Sequence, residues 1–164
     1  MTASTAAYDI AQVRADFPAL AEGAAHFDSP GGTQTPTVVA AAVADTLTSA
    51  VANRGTVTAA EQRAEDIVAG CRRAVGDLLG TDPRGVVFGR SATQLTYDLA
   101  RALAKEWGPG DEIVVSRLDH DSNIRPWLQV AAAAGAQVRW AEFDPDTGTQ
   151  DVEHFAAVIT ERTR

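Results

Sequence analysis

Two clusters of polar residues follow short apolar runs in the second half of this 164-residue sequence. Ser91, Ala92 and Thr93 come just after the run 85–89 and begin a stretch with helical periodicity. The first N–H groups of a helix are unpaired and carry the positive end of its dipole, so this turn can bind a phosphate group. Ser91 can equally be an N-cap without any ligand, because serine is a preferred capping residue.

The second cluster, Asp119-His120-Asp121-Ser122, follows the apolar run 112–116. An imidazole ring at this place can stack on a flat ligand, although a lone histidine in a loop is more commonly solvated. If both apolar runs are neighbouring strands of a parallel sheet, the two clusters meet at its carboxyl edge, where such folds bind ligands. The pair would then suit a flat, phosphorylated ligand, with its phosphate on the helix end and its ring against His120.

The elements that would position these clusters alternate between strand and helix from Pro83 onwards. The patterns predict strands and helices in the order 85–89, 91–107, 112–116, 123–135, 137–143 and 151–159, with the first a strand. Ser122 is the expected cap of the helix 123–135, and Asp151 that of the last helix. Strands separated by helices of this length imply an α/β fold, with a parallel or mixed sheet and crossover helices.

The first half of the chain is predicted to be helical. A short helix is expected over 9–19 with Asp9 as its N-cap, and a longer one after the pair Thr35-Pro36. A third helix is expected over about 58–79 and ends at Gly80. Apolar residues at helical spacing predict a buried face on each of the two longer helices, and Cys71 is interpreted as a small core residue rather than a nucleophile.

Composition limits the class of protein. A hydrophobic content of 45% and a charged content of 22% are typical of globular domains, and a net charge of −8 argues against nucleic-acid and anionic-membrane partners. No apolar stretch is long enough for a membrane span, and the N-terminus lacks an apolar signal core. A single cysteine excludes an internal disulfide and a cysteine-based zinc site, and no metal site is predicted. We therefore expect a cytoplasmic protein.

Several motifs, in order, resemble the N-terminal portion of the class V aminotransferases. They read "FDSPGGTQTP", "NRG", "VVFGRSATQLT", "PGDEIVVSRLDHDSNIRPW" and "GAQVRWAEFDPDTGTQD", and the resemblance runs from about residue 15 to the last residue. Within that family the chain is most similar to the cysteine-desulfurase-like subgroup of pyridoxal-phosphate (PLP) enzymes. The resemblance implies fold type I, the fold of aspartate aminotransferase, with part of the large domain present.

The resemblance also implies roles for individual residues. Residues matching Ser91, Ala92 and Thr93 hold the cofactor phosphate, and the histidine matching His120 stacks on the pyridine ring and is catalytic. The positions that approach the amino-acid substrate in the family match Gly31, Gly32, Asn53 and Arg54, the last two commonly across the interface of a homodimer. The chain departs from many desulfurases by having Asp121 where they have a second histidine, and Ala92 where they have threonine.

The resemblance divides the chain into two parts. Residues 1–25 match the small-domain side, and residues 26–164 match the PLP-binding large domain up to a point before the lysine that forms the Schiff base. Lys105 is the only lysine here, and the expected helix places it roughly 20 Å from the phosphate turn. We therefore expect a fragment without activity of its own.

Three interpretations of function remain open at this stage. The first is the N-terminal part of a class V enzyme acting on amino acids, as a cysteine desulfurase, a selenocysteine lyase or an aminotransferase. The second is a non-catalytic remnant or a module that binds PLP or phosphate. The third, an independent dinucleotide-binding module, is disfavoured because no glycine-rich fingerprint follows a predicted strand.

Overall fold

The computed structural model describes residues 9–164, and the first eight residues of the predicted segment 1–25 lie outside this range. The chain divides into two compact units, Met1–Val86 and Val87–Arg164. The division predicted at residue 25 stays a prediction about the longer family fold. Within residues 9–164, no helix is long and apolar enough to cross a membrane.

The described part of the first unit is helical, with α1 (Ile10–Ala15), α2 (Thr37–Thr48) and α3 (Ala59–Leu79). Asp9 caps α1 as predicted, since its Oδ1 accepts a hydrogen bond from the Gln12 N–H at 3.0 Å. A reciprocal capping box of Thr58 and Glu61 begins α3. Gly80 ends this helix with φ at 64°, in the left-handed region that favours glycine. The predicted bounds of α3 are confirmed.

Two helix termini in this unit differ from the prediction. Helix α1 ends at Ala15 instead of residue 19, because Pro18 begins a separate 3₁₀ helix, Pro18–Glu22, and the residue before a proline disfavours α-helical geometry. Thr35 does not cap α2, which begins one residue later at Thr37. The N–H of Thr37 donates instead to the Asp16 carbonyl at 2.9 Å, so a distant backbone group satisfies this end.

The predicted burial of apolar helix faces in this unit is largely wrong. On α2, Leu47 is 77% exposed, and on α3, Leu78 is 82% exposed. Cys71 is exposed as well, and it lines an open apolar groove together with residues of α2. The only buried residue of α3 is Gly76, where a Cβ would lie 2.9 Å from the Thr81 carbonyl oxygen. Periodicity identified the apolar faces but not which of them is covered.

The second unit contains a parallel two-stranded sheet of β1 (Glu112–Ser116) and β2 (Gln137–Ala141). Helix α5 (Arg125–Ala134) connects the strands as a crossover and ends at Gly135 with φ at 75°. The core of this unit is formed by Ile113, Val115 and Ala131, with Trp107, Ile124, Trp127, Ala136, Val138 and Trp140 packed around them. The predicted α/β architecture with a parallel sheet is confirmed.

The run 85–89 is not a strand, contrary to the prediction. A strand needs a hydrogen-bonded neighbour, and neither β1 nor β2 pairs with this segment. Thr163 instead makes a parallel bridge to Glu112, so the last residues of the chain, and not 85–89, extend the sheet. Strand β2 ends at Ala141, two residues earlier than predicted.

Two further helices complete the second unit, α4 (Ala92–Leu103) and α6 (Val152–Ala156). Both are shorter than predicted: α4 tightens into the 3₁₀ turn Ala104–Glu106, and α6 ends three residues before Ile159. The leucines of α4 are partly exposed, with Leu99 and Leu103 about half accessible. Ala100 is fully buried, and α4 packs on α5.

Candidate cofactor site

The N-terminus of α4 has a capping serine and, beside it, hydrogen-bond donors without a partner in the described chain. Ser91 is the N-cap in an extended conformation, and its Oγ accepts a hydrogen bond from the Gln94 N–H at 3.1 Å. The N–H groups of Ala92 and Thr93, and the Thr93 hydroxyl, donate to no group within residues 9–164. Ser91 is therefore an N-cap whose hydroxyl proton the cap does not use, and three further donors beside it are available for an anion.

Gly89 sets the approach of the chain to this helix. A Cβ at this position would lie 2.6 Å from Cγ and Cδ2 of Leu95, closer than real side chains come. The loop therefore passes over the first turn of α4 at a distance that only glycine permits without a shift of Leu95. The donors of the first turn are thereby held next to a loop without a side chain.

The imidazole of His120 is held by its neighbour Ser122. Nδ1 lies 2.8 Å from the Ser122 Oγ and accepts a hydrogen bond from the Ser122 N–H at 3.2 Å. A ring nitrogen that accepts an N–H bond carries no proton, so the neutral ring has its proton on Nε2. Ser122 does not cap α5, contrary to the prediction, because it belongs to the 3₁₀ turn Asp121–Asn123 that His120 itself caps.

Asp119 holds the backbone next to this ring. Its Oδ1 accepts from the His120 N–H at 2.7 Å, and its Oδ2 accepts from the Asn123 Nδ2 at 2.5 Å. The Asn123 Oδ1 in turn accepts from the Trp127 Nε1 at 3.2 Å. The carboxylate before the histidine thus shapes the loop instead of facing a ligand.

The second aspartate of the cluster has a different partner. Asp121 forms an ion pair with Arg125, one turn along, at 3.0 Å. The hydrogen bond from Arg125 to this carboxylate, together with its charge, raises the pKa of the Arg125 guanidinium. Asp121 therefore ties the turn to the first residue of α5.

Residues 91–93 and residues 119–122 lie in the same unit, as predicted, but a contact of a helix and not of neighbouring strands connects them. Helix α4, which begins just after Ser91, contacts the 3₁₀ turn Asp121–Asn123 that follows His120. The prediction relied on neighbouring strands, whereas 85–89 is not a strand and the contact is made by the helix. His120 is exposed, as are Ser91, Ala92 and Thr93.

The predicted substrate positions belong to the first unit. The N–H groups of Gly31 and Gly32 both donate to the Asp28 carbonyl, at 3.1 and 3.2 Å. A Cβ on Gly31 would lie 2.4 Å from the Asp28 Oδ2, whereas Gly32 has open space around it. A side chain at Gly31 would therefore have to displace the Asp28 carboxylate, whereas one at Gly32 would meet no neighbour.

Asn53 and Arg54 lie in the loop between α2 and α3. Arg54 forms a bidentate pair with Glu65 of α3, through Nε and Nη2, both at 2.7 Å. This hydrogen-bonded contact raises the pKa of Arg54 and lowers the pKa of Glu65. Arg54 is thus an exposed loop residue whose guanidinium is paired with Glu65 through two of its N–H groups, and its remaining N–H groups could meet a substrate carboxylate.

Sequence reasoning missed one buried carboxylate, Glu112, whose side chain is 1% exposed. Its oxygens accept from the Thr160 hydroxyl at 2.8 Å and from Arg162 Nη2 at 2.5 Å. The Thr160 hydrogen bond and the Arg162 charge lower the pKa of Glu112, against the effect of burial. Its partners lie about fifty residues away in sequence, so no local signal could have identified them.

Comparison with known proteins supports the resemblance found in the motifs. The family model described as aminotransferase class-V matches residues 25–164. A probable cysteine desulfurase of Pseudomonas aeruginosa is 34% identical over 157 residues, which are 92% of this chain and 39% of that protein.

Solved structures give the same answer for the fold. The crystal structure of the cysteine desulfurase CsdA from Escherichia coli matches with a TM-score of 0.79 at 31% identity, over 97% of this chain and 40% of that one. A mutant of C-DES, whose structure holds glycine covalently linked to the PLP cofactor, matches with a TM-score of 0.76 at 24% identity, over 92% of this chain and 39% of that one.

The chain therefore spans about two fifths of the length of the proteins it matches. Its fold is the corresponding part of the fold-type I architecture of the PLP-dependent cysteine desulfurases. The family match covers most of the chain, and the overlap with the Pseudomonas and Escherichia proteins extends over nearly all of it. On this evidence the chain belongs to the class-V aminotransferase family and is cysteine-desulfurase-like in sequence and fold.

Proposed function

We propose that this chain supplies the phosphate-binding and ring-stacking part of a PLP site in a cysteine-desulfurase-like enzyme that acts on amino acids. The observation that carries the proposal is the contact between α4, with unused donors at its N-terminus, and the turn that follows His120. The chemistry that the cofactor supplies when bound is an electron sink for carbanions.

The residues present fit a phosphorylated aromatic cofactor. The hydroxyls of Ser91 and Thr93 and the N–H groups of Ala92 and Thr93 are the donors that would bind its phosphate, at the positive end of a twelve-residue helix. The exposed ring of His120 would stack on the cofactor, with its orientation fixed by Ser122. The Nε2 of His120 is then the atom that holds or moves a proton.

Lys105 does not supply the amine that PLP chemistry needs. It lies in the 3₁₀ turn after α4, and a twelve-residue helix separates it from Ser91 by roughly 18 Å. We expect the chain alone to have neither desulfurase nor aminotransferase activity, because the reacting lysine of the family has no counterpart among its residues.

In the complete protein, Gly31, Gly32, Asn53 and Arg54 would approach the amino-acid substrate. Arg54 would pair with the carboxylate of the substrate. We also propose a cytoplasmic homodimer, in which residues 1–25 belong to the small-domain side and residues 26–164 to the large domain. The second candidate for the reaction is transamination in place of C–S bond cleavage. It is kept because the chain has Asp121 where desulfurases often have a second histidine.

The test is equilibrium dialysis of the purified chain against pyridoxal 5′-phosphate and, in parallel, against pyridoxal. The phosphate donors predict that the phosphorylated form binds at least about ten-fold more tightly. Equal affinity for the two compounds, or no binding of either, would refute the assignment of Ser91–Thr93. An assay with cysteine and PLP should release no more sulfide than PLP alone.

A further inference from the structure

We propose that Asp119 and Asn123 are positioning residues for His120 and act as one hydrogen-bonded unit anchored on Trp127. This inference rests on the proposed function, in which the His120 ring meets the cofactor. It assigns a role to the residues that surround the histidine, beyond the stacking of the ring itself.

Asp119 uses both carboxylate oxygens on the loop. One oxygen holds the His120 N–H at 2.7 Å, and the other holds the Asn123 side chain at 2.5 Å. Hydrogen bonds to an ionised carboxylate are stronger than those between neutral groups. The Asp119 carboxylate therefore fixes the backbone of His120 at the start of the turn and the side chain of Asn123 at its end.

Asn123 passes this restraint on to the core of the unit. Its Oδ1 accepts from the Trp127 indole N–H at 3.2 Å. Trp127 packs against the core of Ile113, Val115 and Ala131, and its ring centre lies 6.4 Å from that of Trp107. The indole cannot move without disturbing this packing, so it is a firm anchor for the loop.

Ser122 holds the imidazole ring of His120. Asp119 fixes the backbone of His120, whereas Ser122 fixes the ring through its hydroxyl and its N–H. The two restraints act on different bonds of the same residue. Together they leave Nε2 as the ring nitrogen available to a ligand.

Asp121 provides a matched control within the same loop. It carries the same charge two residues after Asp119, but it pairs with Arg125 at 3.0 Å and makes no hydrogen bond to His120 within the described chain. A general effect of charge on the loop would act through both aspartates. A positioning effect would act through Asp119 alone.

The first experiment is an exchange of the two partners, measured by hydrogen exchange of the peptide containing His120 in the full chain. Asp119→Asn opposes two amide groups, Asn123→Asp opposes two carboxylates, and the double variant restores a donor–acceptor pair. Each single variant removes the charge-assisted bond between the side chains of residues 119 and 123 and should raise the exchange rate of the His120 amide by about ten-fold. The double variant restores that bond, with the charge on residue 123, and should return the rate towards the parent value. Asp121→Asn should leave it unchanged. Exchange that is unaltered in the single variants, or not rescued in the double one, would overturn the inference.

The second experiment measures the affinity for PLP with and without the histidine. Asp119→Asn should lower affinity by about five-fold in the parent and should have no further effect in a His120→Ala background. An equal loss in both backgrounds would mean that Asp119 does not act through His120. A parent chain that binds no PLP would refute the proposed function, and the exchange experiment would then still decide the role of Asp119.

Discussion

His120 and Thr93 contribute different groups to the proposed site, an aromatic face and a hydroxyl. The ring of His120 already uses Nδ1 in its contact with Ser122, so its face and Nε2 are what it can offer a ligand. The Thr93 hydroxyl has no hydrogen-bond partner within residues 9–164. The two residues therefore predict different responses to substitution.

Replacement of His120 separates stacking from proton transfer. His120→Phe should keep most of the PLP affinity because an aromatic face remains, whereas His120→Ala should lose about 1 kcal/mol, or about five-fold. The measurement is a PLP titration followed by absorbance. Equal affinity in the parent and in His120→Ala would mean that His120 is only part of a capped loop.

Replacement of Thr93 tests the hydroxyl at the phosphate. Thr93→Val should weaken PLP binding by about 1 kcal/mol, since one hydrogen bond to an anion is lost. Thr96→Val is the control, because the Thr96 hydroxyl already donates to the Ala92 carbonyl at 2.9 Å. A loss of the same size in both variants would point to the helix and not to the phosphate.

At the scale of elements, the sequence predicted those whose signals are local. The bounds of α3 and β1 and the ends at Gly80 and Gly135 were predictable, because caps and apolar runs are written in neighbouring residues. The run 85–89 was not, since its pattern fits a strand but pairing depends on a partner elsewhere. The Glu65 partner of Arg54 and the network of Asp119 were equally beyond prediction, as side-chain partners depend on the folded loop.

The attachment of the last residues to β1 should depend on pH. Asp111 and Glu112 hold Arg164 and Arg162. Hydrogen bonds from Thr160 and Arg162 lower the pKa of Glu112, whereas the pKa of Asp111 is lowered first by the Gly108 N–H and then by Arg164. Detachment of the segment removes these partners from Glu112, whose pKa then returns towards the ordinary carboxyl value, so Glu112 binds more protons in the detached state. Attachment is therefore favoured above the ordinary carboxyl range and is lost as the pH falls through the lowered pKa of Glu112.

We therefore expect residues 160–164 to stay protected from hydrogen exchange at neutral pH and to lose protection only below about pH 4, after correction for intrinsic rates. Glu112→Gln should loosen the segment at neutral pH and weaken its response to acid. Release at the same pH in the parent and in this variant would show that Glu112 does not hold the segment.

Across the whole molecule, apolar side chains remain exposed on several helices. Val38, Leu47, Leu78 and Leu79 are each more than two-thirds accessible. Apolar surface of this kind promotes association in water, and the outer edge of β2, which pairs with no strand among the described residues, adds to this tendency. The stripes themselves were visible in the sequence, but their exposure was not, because it depends on what covers them.

We expect the purified chain to self-associate, as measured by sedimentation. Leu47→Asp should reduce association, whereas Val152→Asp, an equally exposed apolar position in the short helix α6, should have less effect. A monomer of 17.2 kDa that unfolds cooperatively would contradict this expectation.

The central claim is that one ligand contacts both the α4 N-terminus and the His120 turn. Hydrogen exchange of the chain with pyridoxine 5′-phosphate tests it most directly, because this compound has the ring and the phosphate but no aldehyde to react with Lys105. The account predicts protection of both residues 90–94 and residues 119–123, and protection of the first segment alone by inorganic phosphate. Protection of neither segment by pyridoxine 5′-phosphate, or of only one of them, would contradict it.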